Sequence, residues 1–324
     1  MKNFLTAYIQ PLVAFTFCFL LFCQLPAMAQ TQNDDVKIGV LPNQMHDTRS
    51  LSMASTTIAD LYGRPSIGIN AALSGLINDP SFLQFNTNKN WDNQLLQYDL
   101  MLPTLSIDSH HITTRFGILH KGFENFPFKS TSSLPKPDLT MYRAELAYAF
   151  AFSNYFSLGT LQSISYVTSD GEASFWNYFA DIGLAYAPDG PVTYGMVFRG
   201  LGQEITYETI EDGQTALGRR MARQILEIGV TFRYPTEDRT YLSISFSNEK
   251  RFGQDGLWYK GGVDVLPVSS FSIRGGMMVN FDQSLFIPRM GLGINTSAIQ
   301  FDYMIAPKNL IGEHFHQIGL TIAL

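Results

Sequence analysis

The stretch QIGLTIAL, from Gln317 to Leu324, has two chemically different sets of alternate positions. One set is apolar and consists of Ile318, Leu320, Ile322 and Leu324. The other consists of Gln317, Gly319, Thr321 and Ala323. Because successive side chains of a strand point to opposite faces, this alternation predicts a β-strand with one apolar face. The chain ends on that apolar face, which is unusual for a soluble domain.

The composition of the chain also points away from a soluble protein. Charged residues make up 15% of the 324 residues, against about 25% in ordinary domains. Aromatic residues reach 13%. After the first 30 residues there is no apolar stretch of the roughly 18 residues that a spanning helix requires. Transmembrane β-barrels satisfy both conditions.

The N-terminus predicts export from the cytoplasm. Lys2 precedes an apolar segment over residues 8–25, and Ala27-Met28-Ala29 forms an A-x-A cleavage site, so residues 1–29 are predicted to be a signal peptide. A retained membrane anchor is disfavoured because Pro11 and Gln24 shorten the apolar core.

Processing at this site would also remove both cysteines, Cys18 and Cys23. We therefore expect no disulfide and no cysteine-based metal site in the mature protein. The whole chain carries 22 basic and 28 acidic residues, a balance that argues against nucleic acid as a partner.

From residue 95 onward the chain divides into alternating segments separated by turn residues. In YRAELAYAFAF the residues Tyr142, Leu146 and Tyr148 share one face, and Arg143 and Glu145 share the other. We identify thirteen such segments, at 96–107, 111–120, 141–152, 156–168, 175–187, 192–204, 224–235, 240–249, 256–267, 271–281, 286–296, 298–306 and 315–324.

The lengths of the connections separate a membrane barrel from a soluble β-sandwich. Counted back from the C-terminus, longer connections such as 205–223 and 121–140 alternate with short ones such as PDGP and SNY. Outer-membrane barrels have this order of long outer loops and short periplasmic turns, whereas a sandwich has no reason to keep it. The predicted fold is therefore an all-β, antiparallel, up-and-down transmembrane barrel in the outer membrane.

An even number of strands requires one more strand before residue 95. Either SFLQFNTN at 81–88 or the segment 67–76 can supply it, giving about fourteen strands, with twelve as the alternative. We assign residues 30–65 to a periplasmic tail or plug and residues 66–324 to the barrel.

The final segment resembles the C-terminal assembly signal of bacterial outer-membrane barrels. The matching positions are Gln317, Gly319, Ile322 and Leu324, with leucine where an aromatic residue is commoner. The resemblance implies contact with the barrel-assembly machinery and with outer-membrane lipid.

The segment SIGINAALSGLINDPSFLQFN resembles the start of fatty-acid-transporter-like barrels, in which a glycine-rich start and a small helix precede an Asp and an Asn-Pro-Ala turn. Gly68, Asp79, Pro80 and Asn86 match that plug and turn, although Thr87-Asn88 stands where Pro-Ala is expected. The resemblance implies that a movable plug opens a route for a hydrophobic small molecule.

The C-terminal third is similar to the PorV and PorQ branch of type IX secretion proteins in Bacteroidota. Arg274-Gly275-Gly276 and Phe301-Asp302-Tyr303 carry this similarity, while DPSFLQF resembles the start of PorP/SprF barrels. These resemblances imply partners in a secretion complex.

Charged residues of both signs are predicted to face the lumen. They either line a polar path or neutralise one another as cross-strand pairs. The candidates are Arg115, Arg143, Glu145, Asp181, Arg199, Glu227, Arg233, Lys260, Asp264, Arg274, Arg289 and Asp302.

Signals for an enzyme are weak. His110-His111 and the pair His314 and His316 lie at strand ends without a fixed carboxylate spacing, so they read as rim residues rather than metal ligands. No nucleotide-binding or hydrolase motif is present. We expect no catalytic residue, cofactor or metal.

Two hypotheses remain open at this point. The first is a transport barrel for an apolar molecule or, as a simpler form, a passive porin for small solutes. The second is a non-transporting scaffold of a secretion or surface-attachment complex.

Overall fold

The computed structural model describes most of the chain after residue 46. The described residues are 47–61, 67–77, 82–90, 95–121, 139–169, 174–202, 204–211, 214–221, 224–235, 241–253, 256–268, 270–296, 298–306 and 315–324.

The described chain consists mainly of antiparallel strands. They are β1 (Phe82–Asn90), β2 (Leu95–Met101), β3 (Leu105–Ile107), β4 (His110–Lys121), β5 (Leu139–Ser153), β6 (Phe156–Ser169), β7 (Ser174–Tyr186), β8 (Val192–Gly202), β9 (Glu204–Glu211), β10 (Gln214–Met221), β11 (Ile225–Pro235), β12 (Tyr241–Arg251), β13 (Trp258–Val268), β14 (Phe271–Asn280), β15 (Leu285–Asn295), β16 (Ile299–Ala306) and β17 (Phe315–Ala323).

Three short helical elements precede the strands. They are the α-helix α1 (Thr48–Ser52) and the 3₁₀ helices η1 (Thr57–Ala59) and η2 (Ala71–Gly75). Asp47 caps α1 by accepting a hydrogen bond from the amide of Ser50 at 2.8 Å, and Asn70 caps η2 in the same way through Ala72. None of the helices in the described ranges is both long and apolar enough to cross a membrane.

The main sheet closes on itself. β1 pairs with β17 on one side and with β2 on the other, while β2 also pairs with β4. β3 extends the path of β2 along β4, so β2 and β3 together act as one spanning strand. The result is a closed antiparallel barrel of fourteen strands, as the sequence predicted.

The strand that completes the even number is β1. Of the two candidate segments, the one at 81–88 forms this strand, and its partner in closure is the C-terminal strand β17. The segment 67–76 does not form a strand, because Asn70 begins a 3₁₀ helix that packs inside the barrel.

The two faces of the wall differ in burial as the alternation predicts. On β5 the outward Tyr142 and Leu146 are 49% and 46% exposed, while the inward Glu145 and Ala147 are buried. Large apolar side chains on the other strands repeat this outward exposure. A closed barrel with an apolar outer face and a polar inner face is an outer-membrane protein.

The two ends of the barrel carry different connections. The start of β1 and the end of β17 lie at one end, together with the two-residue turns between β3 and β4 and between β5 and β6. In the second turn Tyr155 donates a hydrogen bond to Asp189 at 3.1 Å, and this bond raises the pKa of Tyr155. The opposite end carries the longest connections and the separate hairpin of β9 and β10.

Candidate functional site: the filled lumen

An inner belt, which we define as residues 47–61 and 67–77, fills part of the barrel lumen. Its helix α1 contacts β14 to β17, η1 contacts β8, β11 and β12, and η2 contacts β4 to β7. The described belt therefore follows the inner wall around much of its circumference. Nearly all of its described residues are buried.

Inward-facing glycines make room for the belt. A Cβ atom on any of them would overlap or crowd a belt residue. This glycine track consists of Gly159, Gly183, Gly195, Gly229, Gly262, Gly276, Gly291 and Gly319.

The glycine track follows from the register of neighbouring strands. Gly262 lies opposite Gly276, and a Cβ at Gly276 would come within 2.5 Å of the carbonyl carbon of Met53. The pairs Gly195 with Gly229 and Gly159 with Gly183 repeat this arrangement. Glycine is required here for close approach of two backbones, since none of these positions has a positive φ. The glycine track was not predicted from the sequence, although its signal is present there as glycines at inward-facing positions of many strands.

Wall side chains satisfy the backbone carbonyls of the belt. Arg199 donates to the carbonyl of Ile69 at 2.6 Å, and Arg289 donates to that of Leu51 at 3.3 Å. Thr193 donates to the carbonyl of Ala59. Because buried carbonyls need partners, these contacts hold the belt without pairing it into the sheet.

Two asparagines complete the polar contacts of the belt. Asn86 on β1 accepts a hydrogen bond from the hydroxyl of Thr48 at 3.1 Å. Asn70 donates both to the carbonyl of Ile58 at 2.9 Å and to the wall carbonyl of Leu184 at 3.0 Å. The two described stretches of the belt are thus joined to each other and to the wall.

One buried ionic group connects the belt to the wall, and we call it the latch cluster. Arg49 of α1 bonds Asp60 at 2.6 Å and Asp264 of β13 at 2.9 Å. Arg274 forms ion pairs with Asp264 at 3.3 Å and with Asp302 at 2.5 Å. All five side chains are buried. Removing one partner from a buried ion pair costs about 3–5 kcal/mol, so the latch cluster is a strong determinant of belt position.

A second ionic group joins the neighbouring wall strands β8, β11, β12 and β13. Glu227 accepts from Arg199 at 2.6 Å and from Lys260 at 2.9 Å. Lys260 also pairs with Glu249, which pairs with Arg251. Within the described part of the chain, Arg199 is the only member of this group that donates a hydrogen bond to the belt. The group therefore mainly neutralises charges between neighbouring strands.

A third ionic group lies on the inner face of β4 and β5. Glu145 accepts from Arg115 at 2.5 Å and also pairs with Arg143. The guanidinium of Arg115 lies against Gly68 of the belt, where a Cβ would come within 2.5 Å of Nη2. Buried Asp99, which the sequence analysis did not single out, receives a hydrogen bond from Gln97.

The remaining charges proposed for the lumen occupy inward strand positions. Asp181 accepts from the amide of Gly200 at 3.0 Å. Arg233 lies two residues after the inward-facing Thr231 on β11, so its side chain points to the same face of the strand. The structure thus places the charges in pairs and clusters, which favours mutual neutralisation over an open polar path in the described lumen.

The other singled-out residues fall in several places. Gly68 and Asn86 contact the lumen groups described above, whereas Asp79 and Pro80 lie outside the described residues. Gln317 and Gly319 face inward, and Gly319 lies against Thr48. Ile322 lies opposite Leu83 and Ile299, while Leu324 follows the end of β17. Recognition of these last residues by the assembly machinery stays a prediction.

The histidines take part in local hydrogen bonds. His110 bonds the hydroxyl of Tyr148 at 2.7 Å, and His111 bonds the hydroxyl of Ser106 at 2.9 Å. His316 bonds the hydroxyl of Tyr303 at 2.7 Å. In the described ranges no three His, Cys, Asp or Glu side chains are grouped closely enough to hold a metal ion.

Comparisons with known proteins give a likeness of fold. No family model matches the chain, and the search of curated proteins finds no match. The chain is similar to the CymD monoaromatic hydrocarbon channel, with a TM-score of 0.60 and 9% identity over 86% of this chain and 97% of the other.

Two further solved structures give similar values. The Pseudomonas putida toluene transporter TodX has a TM-score of 0.54 and 9% identity over 86% of this chain and 98% of the other. A Pseudomonas aeruginosa FadL homologue has a TM-score of 0.54 and 10% identity over 86% of this chain and 98% of the other. At this identity the likeness establishes the fold of the chain alone.

Proposed function

We propose that this protein is an outer-membrane channel for small apolar molecules and that the inner belt is its gate. Three structures of similar fold are described as a hydrocarbon channel, a toluene transporter and a FadL homologue. Their substrates support the proposal only through this shared architecture.

The way the belt is bound to the wall carries the proposal. The described belt contributes no strand to either sheet, so it can move without breaking a strand ladder. Its polar contacts with the wall are side-chain hydrogen bonds and the latch cluster. Such contacts can exchange one by one, whereas opening the wall requires a row of backbone hydrogen bonds to break together.

The gate can be tested at Asp264. The substitution Asp264→Asn removes the charge that Arg49 shares with Arg274. If only 1.4 kcal/mol of the lost interaction favours release of the belt, the open population rises about tenfold. We expect faster uptake of radiolabelled toluene by intact Gram-negative cells producing the variant, and trypsin cleavage at the otherwise buried Arg49.

Glu249→Gln provides a matched control. It removes a buried carboxylate whose described ion pairs, to Lys260 and Arg251, join wall residues only. The control should retain the uptake rate and protease resistance of the unchanged protein. Equal uptake by Asp264→Asn, the control and cells without the barrel would contradict the channel proposal.

A second candidate function is a closed scaffold of a type IX secretion or surface-attachment complex. Two residues that carry the sequence resemblance to that branch, Arg274 and Asp302, form part of the latch cluster. The burial of the described belt also favours a barrel that stays closed and disfavours a passive porin.

The scaffold proposal is tested in the native envelope. Chemical crosslinking followed by affinity purification should recover the barrel with other envelope proteins, and deletion of the gene should abolish export of cargo. Recovery of the barrel alone, with normal export after deletion, would contradict this second proposal.

A further inference from the structure

The outer wall of the barrel contains a groove that is separate from the lumen. The groove has a volume of about 500 Å³ and lies on the outward face of β1, β2 and β4 to β7. Its walls are aromatic and aliphatic side chains, and its floor is the sheet at Gly117 and Ala144.

The groove exists because a small residue stands between large ones. Ala144 on β5 lies opposite Phe116 on β4 and Ile164 on β6. Phe116 and Ile164 are 49% and 45% exposed, so they stand up on either side of the methyl group of Ala144. The missing side-chain volume at Ala144 forms the depression.

Aromatic pairs, one stacked and one tilted, bound the groove on two sides. Phe85 and Tyr98 have ring centroids 6.1 Å apart. Tyr166 and Trp176 have centroids 4.9 Å apart. Because aromatic side chains have only two χ angles and lose little conformational entropy when held in place, these walls are largely preformed, as in small-molecule sites generally.

The polarity of the groove changes along the barrel axis. One row across the wall runs from Tyr98 through Ile118 to Tyr142, Tyr166 and Trp176, so four of its five side chains carry a hydroxyl or indole group. This row lies near the end that carries the long connections, since Tyr142 is close to the start of β5. Long connections mark the outer side of a membrane barrel. The groove is therefore apolar toward the bilayer centre and lined by hydroxyl and indole groups toward the outer interface.

We propose that this groove binds one acyl chain of an outer-leaflet lipid, with the row of tyrosines contacting the start of its headgroup. The groove is continuous with the apolar band that contacts hydrocarbon over the rest of the wall. An acyl chain seated beside Ala144 fills a depression that freely moving lipid fills poorly. An added polypeptide strand does not fit, because β4, β5 and β6 already pair on both sides.

Photolabelling tests the site directly. The full-length barrel is reconstituted into vesicles of phosphatidylethanolamine that carries a diazirine in one palmitoyl chain, and labelled peptides are mapped after irradiation. We expect several-fold more label on β4 and β5 than on the outward face of β14 and β15. Uniform labelling around the wall would overturn the proposal.

Filling the groove provides the second measurement. Ala144→Trp should abolish the excess label, while Gly275→Trp should retain it. Gly275 also faces outward, and a Cβ there meets no atom within 4 Å, so this control adds the same ring to another part of the lipid-facing wall. Ala144→Leu replaces the tryptophan variant if that variant fails to assemble. Unchanged labelling of an assembled Ala144 variant would overturn the proposal.

Site-specific crosslinking in native membranes distinguishes a lipid in the groove from a polypeptide. A photoreactive benzoylphenylalanine in place of Phe116 should crosslink to lipid. Crosslinking to a second protein at this position would show that the groove is a protein interface and would also overturn the proposal.

Discussion

At the scale of single residues, the identity of a side chain matters most where the belt and the wall approach closely. Gly275 and Gly276 are neighbours in sequence but occupy opposite faces of β14. A Cβ at Gly275 meets open space, whereas one at Gly276 comes within 2.6 Å of the amide nitrogen of Ala54. The same chemical change therefore has different consequences at two adjacent positions.

The substitution Gly276→Ala should displace the belt. Overpacking of a tight interior contact costs about 1–3 kcal/mol, and here the obstruction is the backbone of Met53 and Ala54. We expect faster trypsin cleavage in the belt and a lower unfolding temperature, measured by the loss of rapid gel mobility on heating. Gly275→Ala is the matched control, and equal behaviour of the two variants would contradict the role of the glycine track.

At the scale of elements, the strands differ in how much of the barrel depends on them. Among the strands that the structure describes, β9 and β10 pair only with each other. In contrast, β1 pairs with both β17 and β2 and completes the ring. The hairpin is consequently an appendage, and β1 is required for closure.

Replacing residues 204–221 with an Asn-Gly turn should leave the barrel intact, because Asn-Gly is a favoured two-residue hairpin connection. The unfolding temperature should change by less than about 4 °C, the scale of a 1 kcal/mol effect. Thr87→Pro in β1 is the contrasting variant, since proline interrupts a central strand, and it should lower that temperature. A large loss of stability in the hairpin variant would show that β9 and β10 support the wall.

At the scale of the whole molecule, a wide barrel is closed by part of its own chain. A ring of fourteen strands is wider than side chains alone normally fill. The described belt occupies this space and contacts strands from β17 around to β4. The size of the ring and the burial of the belt are therefore linked.

Deletion of residues 47–61 should convert the closed barrel into one that conducts ions. Planar-bilayer recordings should show little steady current with the full-length protein and a persistent current with the deletion variant, because the charged inner wall becomes hydrated. Both proteins should run faster on gels before boiling than after, which verifies that the ring is closed. A non-conducting, heat-modifiable deletion variant would indicate that the belt does not close the lumen.

The alternation of side chains made the barrel predictable from sequence. The two faces of β5 and β17 follow directly from the strand period, and the requirement for an even number of strands led to β1. The belt could not be identified in the same way. Its conformation depends on wall partners such as Arg199 and Thr193, which satisfy its carbonyls, rather than on a periodic pattern of its own.

The class of fold, the faces of the strands and the inward position of the charges follow from side-chain alternation, because each depends on neighbours within one segment. Three other features become visible in the folded barrel alone: the contact of Arg49 with Asp264, 215 residues away, the glycine track, and the external groove at Ala144. These features depend on the register of many strands and on closure of the ring. Closure brings together residues that have no local relation along the chain.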